Sequence, residues 1–309
     1  MAVNAPLASP APHQGLLARY PLSFFFLMAF AFTWIAWSPW YLSEDGVGLL
    51  PYQIGDTASG LVNSAAIFLG LTVSAFIMTA KTEGRAGIRR LLRRIVLWRV
   101  GLRWYLFAFI GVPLVYVLGT FIFVPGGLAS FQFLGLGYVP TYLATFIPVL
   151  IMGVPLFEEI GWRGFALPRM QPLLGPLVGS IILGLLWGLW HLPMFMIPGW
   201  VAASGGSGLL ALVKFVLFAV ALAIVLTWVF NNTKGSVLMA MLVHASIDAP
   251  FIPFFIPFSS ETSGPSEAMN GMLLGLGAVA LLVVAFTRGR LGYQHYSQEE
   301  EPDPATAPT

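Results

Sequence analysis

Hydrophobic positions run in long, uninterrupted stretches along this chain, and short polar segments separate them. Eight stretches are long enough to cross a hydrocarbon core of about 30 Å as helices, which takes about 20 residues each. The predicted spans are 22–42, 60–80, 104–124, 138–157, 175–197, 209–230, 235–256 and 268–286. Because the stretches lack the period-two alternation of barrel strands, the pattern predicts an all-α, polytopic membrane helix bundle of about eight transmembrane helices.

The composition agrees with a membrane protein. Hydrophobic residues make up 58% of the 309 positions, with 25 Phe and 10 Trp, and this is more apolar surface than one soluble core buries. The chain has no cysteine, which excludes disulfides, thiolate metal sites and a cysteine nucleophile. Since only 9% of the residues are charged, each charge inside a predicted span requires an explanation.

The basic residues predict an orientation, because Lys and Arg collect on the cytoplasmic side of membrane proteins. Segment 81–103 holds eight of the fifteen Lys and Arg residues. Alternating from this segment puts both termini and every other basic residue except Lys214 in the cytoplasm, and Lys214 can reach the outer headgroups. The opposite loops, 43–56 and 259–267, carry acids and no Lys or Arg. We therefore expect a multi-pass plasma-membrane protein with both termini cytoplasmic.

The two ends of the chain differ from the apolar spans. The segments MAVNAPLASPAPHQG and SQEEEPDPATAPT are rich in Pro, Ala and, at the C-terminus, acidic residues, with little to bury. We predict disordered cytoplasmic tails at 1–20 and 288–309 around a transmembrane domain at 21–287.

The first polar group at membrane depth follows the fourth span, in FEEIGWRGFALPRM. Glu159 and Arg163 are four residues apart, so on a helix they share a face and can neutralise each other. Glu158 points about 100° away and lacks that partner. The alternative is that all three mark a solvated cytosolic end of the span.

Two histidines follow on later spans. In WGLWHLPMF, His191 follows Trp187 by one turn and precedes Pro193; alone, it could be an ordinary interhelical hydrogen bond. In LVHASID, His244 and Asp248 are four residues apart and share a helical face. There the carboxylate can fix the ring tautomer, or both groups can ligate a metal.

The three segments together place chemically complementary side chains on three different spans. Carboxylates and imidazoles are what water activation needs: a base for the proton, and donors or a metal for the oxyanion. A common site explains the three segments better than three separate structural contacts do.

The ordered motifs EEIGWR, WGLWH and HASID resemble those of the CPBP intramembrane proteases, whose best-known branch is the type II CAAX prenyl endopeptidase. The resemblance covers residues 138–256, which would hold the catalytic core. It implies that Glu158 activates water, that Glu159 and Arg163 support it, and that His191 helps to hold or activate the water.

The resemblance also assigns the third motif. His244 and Asp248 match positions that in the family support the oxyanion or bind a metal. Two positions depart from the family pattern: Trp187 stands where Phe is common, and Asp248 stands where some branches have Asn, which favours a ligand or His-orienting role for Asp248. A divalent metal such as zinc is a further expectation, with His191, His244 and Asp248 as candidate ligands.

The sequence thus predicts an intramembrane endopeptidase, with or without a metal, that cuts a membrane-associated or lipidated, CAAX-like protein or peptide in a hydrated cavity opening toward the cytoplasm. Its expected partners are membrane lipid and a peptide or protein substrate, and we expect no nucleic acid. Two alternatives use the same residues. One is a proton- or ion-coupled transporter, and the other is a non-catalytic membrane scaffold or immunity protein.

Overall fold

The structure is a computed structural model of the chain. It describes residues 15–123, 125, 132–133, 139–152, 154–204, 207–249, 255–256 and 265–300. Within these ranges nearly all of the regular structure is helical, which confirms the predicted fold class.

The first half of the bundle contains two long helices that pass through a π-helical segment. The intervening segments Phe68–Val73 and Phe107–Gly111 are π-helical and join their flanking helices without a break. The α-helices are α1 Leu16–Arg19, α2 Pro21–Tyr41, α3 Asp56–Ile67, α4 Ser74–Ile95, α5 Leu102–Leu106 and α6 Val112–Phe123.

The second half contains the helices that carry the motifs. Ile160–Ala166 is a π-helical segment between α8 and α9, and Leu192–Met196 is a 3₁₀ turn after α10. The helices are α7 Val139–Met152, α8 Val154–Glu159, α9 Leu167–Leu174, α10 Pro176–Trp190, α11 Pro198–Ala203, α12 Gly208–Asn232, α13 Val237–Asp248, α14 Pro265–Thr287 and α15 Tyr293–Glu300. Two short antiparallel segments also pair, β1 Gln132–Phe133 with β2 Phe255–Ile256.

Seven of the described helical runs are long and apolar enough to cross a membrane. They are Pro21–Tyr41, Asp56–Ile95, Leu102–Phe123, Leu143–Leu174, Pro176–Met196, Gly208–Asn232 and Met269–Thr287. The predicted span 235–256 contains a shorter apolar helix, α13, which ends at Asp248; residues 250–254 lie outside the described residues. The chain is therefore an integral multi-pass membrane protein.

Close backbone packing holds α10 against α12. A Cβ added to Gly184 would lie 2.5 Å from the Cα of Val220, and one added to Gly188 would lie 2.9 Å from the Cα of Val216. Small residues at such positions let two helices approach closely in a lipid environment. This contact packs α10, the helix that precedes His191, against α12.

Two predicted boundaries differ from the structure. The span predicted to end at residue 157 continues as Leu143–Leu174, so the charged motif lies inside a helical run rather than at its end. The predicted C-terminal tail is wrong over its first part, because Tyr293–Glu300 is helical and Tyr296 is buried; its hydroxyl lies 2.6 Å from Arg94 Nη2. Residues 1–14 and 301–309 lie outside the described residues.

Candidate active site

Glu158 has one anchored oxygen and one free oxygen. Its Oε2 accepts hydrogen bonds from the indole N–H of Trp187 at 2.6 Å and of Trp162 at 3.3 Å. Its Oε1 has no hydrogen-bond partner among the described residues, and the whole residue is 0% exposed. The two indoles fix the carboxylate so that Oε1 is left as an acceptor.

His191 places a second hydrogen-bond acceptor near Glu158 Oε1. Its Nδ1 lies 3.0 Å from the carbonyl oxygen of Trp187. A carbonyl only accepts, so Nδ1 carries the proton and Nε2 of the neutral ring has a lone pair. Nε2 lies 3.9 Å from Glu158 Oε1, which is too far for a direct hydrogen bond. We call Glu158 and His191 the water pair, because one water can donate a hydrogen bond to each atom.

The His191 ring is held by aromatic neighbours from other elements. Trp200 on α11 stacks on it with a centroid distance of 5.9 Å, and Phe215 on α12 lies 4.8 Å away in a T-shaped contact. Trp190 contacts the ring at 4.7 Å. The ring therefore has a fixed orientation in addition to a fixed tautomer.

Glu159 lies in a different environment from Glu158. Its Oε1 accepts from Arg163 Nη1 at 3.0 Å and from His244 Nδ1 at 2.8 Å. Glu159 and Arg163 are both 0% exposed, and the Arg163 guanidinium lies 4.7 Å from the centroid of the Trp187 ring. The predicted i, i+4 pair is present, and the alternative of a solvated helix end is wrong because Glu158, Glu159 and Arg163 are buried inside a helical run.

His244 connects this pair to Asp248. Its Nε2 lies 3.3 Å from Asp248 Oδ2, so each ring nitrogen faces a carboxylate oxygen. The His244 side chain is 4% exposed and that of Asp248 is 31% exposed. We call Glu159, Arg163, His244 and Asp248 the ion network. Its charges neutralise one another where a lone charge would be very costly.

A cavity of about 340 Å³ lies beside the water pair. Glu158, His191, His244 and Asp248 all line it, whereas Glu159 and Arg163 lie behind the wall. Most of the remaining wall is apolar or aromatic, including Trp37, Ile67, Val154, Trp200, Phe215 and Phe218. The three motifs therefore meet at one cavity, as the sequence predicted.

The position of the cavity differs from the prediction. Its lining residues lie near the ends of α2 and α10 and near the starts of α3 and α12, which are the ends remote from segment 81–103. The basic segments converge at the other end of the bundle, where Arg169 pairs with Glu83. The expectation that the cavity opens on the same side as the basic loops is therefore wrong.

The candidate metal ligands do not form a ligand set in the described residues. Both ring nitrogens of His244 are engaged by carboxylates, and no group of three His, Asp or Glu side chains that could hold a metal occurs there. Glu158 Oε1 and His191 Nε2 face the cavity as free acceptor atoms. Three protein ligands plus an open position, the usual catalytic zinc site, are not provided by His191, His244 and Asp248 as they lie.

The two tryptophan donors to Glu158 are not among the site residues that the sequence predicts. Trp162 follows Glu158 by four residues, so the spacing could have indicated a shared helix face. Trp187 was interpreted only as an aromatic wall, whereas its N–H makes the shortest hydrogen bond to Glu158. That contact joins α8 to α10 and depends on how the two helices pack.

Comparisons with known proteins identify what this region of the chain is similar to. Residues 140–250 match the family model described as type II CAAX prenyl endopeptidase Rce1-like. This region is Rce1-like. A relative described as CAAX prenyl protease 2, from Methanococcus maripaludis, is 26% identical over 241 residues, which cover 74% of this chain and 83% of the relative.

The Rce1-like region contains all three motifs and all six predicted site residues. The resemblance found in the sequence is therefore confirmed, and the chain is an intramembrane endopeptidase that acts on a protein or peptide. The comparisons do not favour the transporter or the scaffold alternative. The role of each site residue stays a prediction, which the geometry of the water pair and the ion network makes specific.

Proposed function

We propose that the chain hydrolyses a peptide bond of a membrane-associated or lipidated protein with a water molecule held between Glu158 and His191. The observation that carries this proposal is the pair of free acceptor atoms, Glu158 Oε1 and His191 Nε2, which lie 3.9 Å apart on the cavity wall. A water between them is oriented by two hydrogen bonds, and its free lone pairs point into the cavity.

The route of the proton follows from the different environments of the two carboxylate oxygens of Glu158. The Glu158 carboxylate takes a proton from the water while His191 holds the water oxygen in place, and the resulting hydroxide attacks the peptide carbonyl. The tetrahedral intermediate collapses when the C–N bond breaks, and Glu158 returns the proton to the departing amine. Trp162 and Trp187 keep Glu158 Oε2 occupied, so that Oε1 is the atom that exchanges the proton.

The ion network has a positioning role in this proposal. His244 lies on the cavity wall with its ring between Glu159 and Asp248, so its N–H groups point along fixed directions. Held between two carboxylates, the ring carries a proton on each nitrogen, and its positive charge beside the cavity can stabilise the negative oxygen of the intermediate. Asp248 then acts by orienting the ring, which an Asp does as well as an Asn.

The chemistry of the wall supports an apolar substrate segment. The relative from Methanococcus maripaludis is described as a prenyl protease. The cavity wall here is suited to a lipid chain or a large apolar side chain, because it is formed by Trp37, Trp200, Phe215 and Phe218. We propose a lipidated or strongly apolar peptide as the substrate class, in a plasma membrane with both termini cytoplasmic. The clustering of basic residues at one end of the bundle supports that orientation.

A peptide library decides the proposal. Detergent-purified protein is incubated with prenylated and unmodified apolar peptides, beside Glu158→Ala and His191→Ala and a control, Glu44→Gln, which changes an exposed carboxylate. We expect cleavage that is lost in the first two variants and retained in the control. Cleavage that persists in Glu158→Ala would contradict the proposal.

The same assay tests the metal prediction. A divalent metal bound with the help of Glu158 and His191 would make cleavage sensitive to a chelator, with recovery on adding zinc. Unchanged cleavage after exhaustive chelation would contradict a metal requirement and leave the water pair as the source of activation.

A further inference from the structure

The position of the cavity along the helices identifies the side from which a substrate arrives. His191 lies one residue beyond the end of α10, which begins at Pro176 on the side of the basic segments. At 1.5 Å per residue this places His191 about 22 Å from that end. Asp248 is likewise the last residue of α13, which begins just after Lys234.

Helices that run the other way give the same result. Asn63 lies in the second turn of α3, which begins at Asp56 in the acidic loop, and Phe215 lies near the start of α12. Trp37 is four residues before the end of α2, which leads into the same acidic loop. These three residues thus line the cavity at the helix ends that are remote from segment 81–103.

A separate cavity of about 380 Å³ lies at the basic end of the bundle, and no residue of the water pair or the ion network lines it. Arg169 contacts Glu83, Arg94 lies 2.6 Å from the hydroxyl of Tyr296, and Ser236 donates to the carbonyl of Leu97 at 2.6 Å. These contacts join segments from four parts of the chain at that end.

Beneath the water pair lies a layer of fully buried aromatic rings. Phe25 lies 6.0 Å from Trp162 and 4.8 Å from Phe165, and Trp162 lies 5.8 Å from Trp190. All four residues are 0% exposed. In contrast, Asp248 on the cavity wall is partly exposed, so the polar atoms of the site are nearer to water on the acidic side.

Positive charge marks the cytoplasmic side of a membrane protein, so the acidic side faces away from the cytoplasm. We infer that the cavity receives its substrate from the extracytoplasmic side. The substrate class is then an apolar peptide segment that is exported or exposed at the outer half of the membrane, rather than the C-terminus of a cytosolic protein. The substrate class in this inference rests on the proposed hydrolysis at Glu158, but the side of access can be tested without turnover.

The absence of cysteine makes the test direct. Single cysteines are introduced at two half-buried cavity positions, Val154→Cys and Asn63→Cys, at Glu44→Cys in the acidic loop, and at Arg93→Cys in the basic segment. Each variant is expressed in a bacterial inner membrane, and a membrane-impermeant thiol reagent is applied to spheroplasts and to inverted vesicles. The same four variants are also made with Glu158→Gln, so that accessibility is measured without cleavage.

We expect both cavity cysteines and Glu44→Cys to be modified in spheroplasts, and Arg93→Cys to be modified only in inverted vesicles. Modification of the cavity cysteines only in inverted vesicles would overturn the inference. So would their modification only after detergent solubilisation, or modification of Arg93→Cys in spheroplasts. Cleavage with cytoplasmic access would refute the inference alone, whereas outside access without any cleavage would refute the proposed function alone.

Discussion

Glu158 and Glu159 are neighbours in the sequence but belong to two regions with opposite chemistry. In the water pair, Glu158 Oε1 and His191 Nε2 are acceptors that the protein leaves free. In the ion network, Glu159 Oε1 is shared by Arg163 and His244 at hydrogen-bonding distance. Both carboxylates are buried, so burial alone does not identify a catalytic carboxylate. The distinguishing feature is a cavity-facing oxygen that has no hydrogen-bond donor from the protein.

The largest expected effect comes from Glu158→Gln. The amide keeps the shape of the side chain but cannot take a proton from water, so we expect cleavage to fall by about 10²–10⁴-fold, the usual contribution of a general base. Single-turnover cleavage measures this loss, and the melting temperature in detergent checks that the variant is folded. Loss of folding without loss of activity per folded molecule would show that Glu158 is structural.

Glu159→Gln should lower the stability of the protein more than it lowers the rate of cleavage. The change leaves Arg163 and His244 without their carboxylate partner in an interior that water does not reach. Removing one member of a buried ion pair costs about 3–5 kcal/mol, which unfolding in increasing denaturing detergent measures.

The matched control for that prediction is the double variant Glu159→Gln, Arg163→Met. Replacing both charges removes the unpaired guanidinium, so we expect recovery of much of the lost stability. A double variant that is less stable than Glu159→Gln would contradict the description of the ion network as a neutralising pair.

Trp187→Phe tests the water pair separately from the ion network, because it removes one of the two hydrogen bonds that hold Glu158 Oε2. The ring remains as a wall, but the 2.6 Å hydrogen bond to Oε2 is lost. A hydrogen bond to a charged group contributes about 1.5–3 kcal/mol, which corresponds to about a tenfold to a hundredfold loss of cleavage if the anchored carboxylate is the base. Trp162→Phe removes the longer 3.3 Å bond and should have a smaller effect. Equal effects of the two changes would contradict the assigned anchoring.

The smallest effect on chemistry is expected from Gly184→Ala, which changes neither region. The new methyl group would lie 2.5 Å from the Cα of Val220, and overpacking of this kind costs about 1–3 kcal/mol of stability. Gly277→Ala is the matched control, because no atom lies within 4 Å of its added Cβ. We expect Gly184→Ala alone to lower the melting temperature, with cleavage per folded molecule unchanged. A selective loss of cleavage would mean that α10 packing controls the site directly.

Most of the fold and the membership of the site were predictable from the sequence. Long apolar runs report the spans, since the bilayer fixes their length. Spacing of four residues correctly placed Glu159 with Arg163 and His244 with Asp248, because such positions share a helix face. The end of the fourth span was wrong because hydropathy treats a buried, neutralised charge as if it were exposed.

Contacts between helices were beyond the reach of the sequence pattern. The bond between Glu159 and His244, the bond between Trp187 and Glu158, and the position of the cavity depend on helix register and crossing. Periodicity reports which face a residue occupies, but not which residue of another helix it meets. The expectation that the cavity shares the side of the basic segments had no support in any residue, and the orientation in the membrane stays a prediction from the charges.

The central claim is that Glu158, and not Glu159, activates water. The most direct measurement compares single-turnover cleavage of one peptide by Glu158→Gln and Glu159→Gln, each normalised to the fraction of folded protein. The account predicts that folded Glu158→Gln is almost inactive, while folded Glu159→Gln keeps far more activity and loses mainly stability. Near-complete inactivity of folded Glu159→Gln, with substantial cleavage by Glu158→Gln, would contradict the account and exchange the two roles.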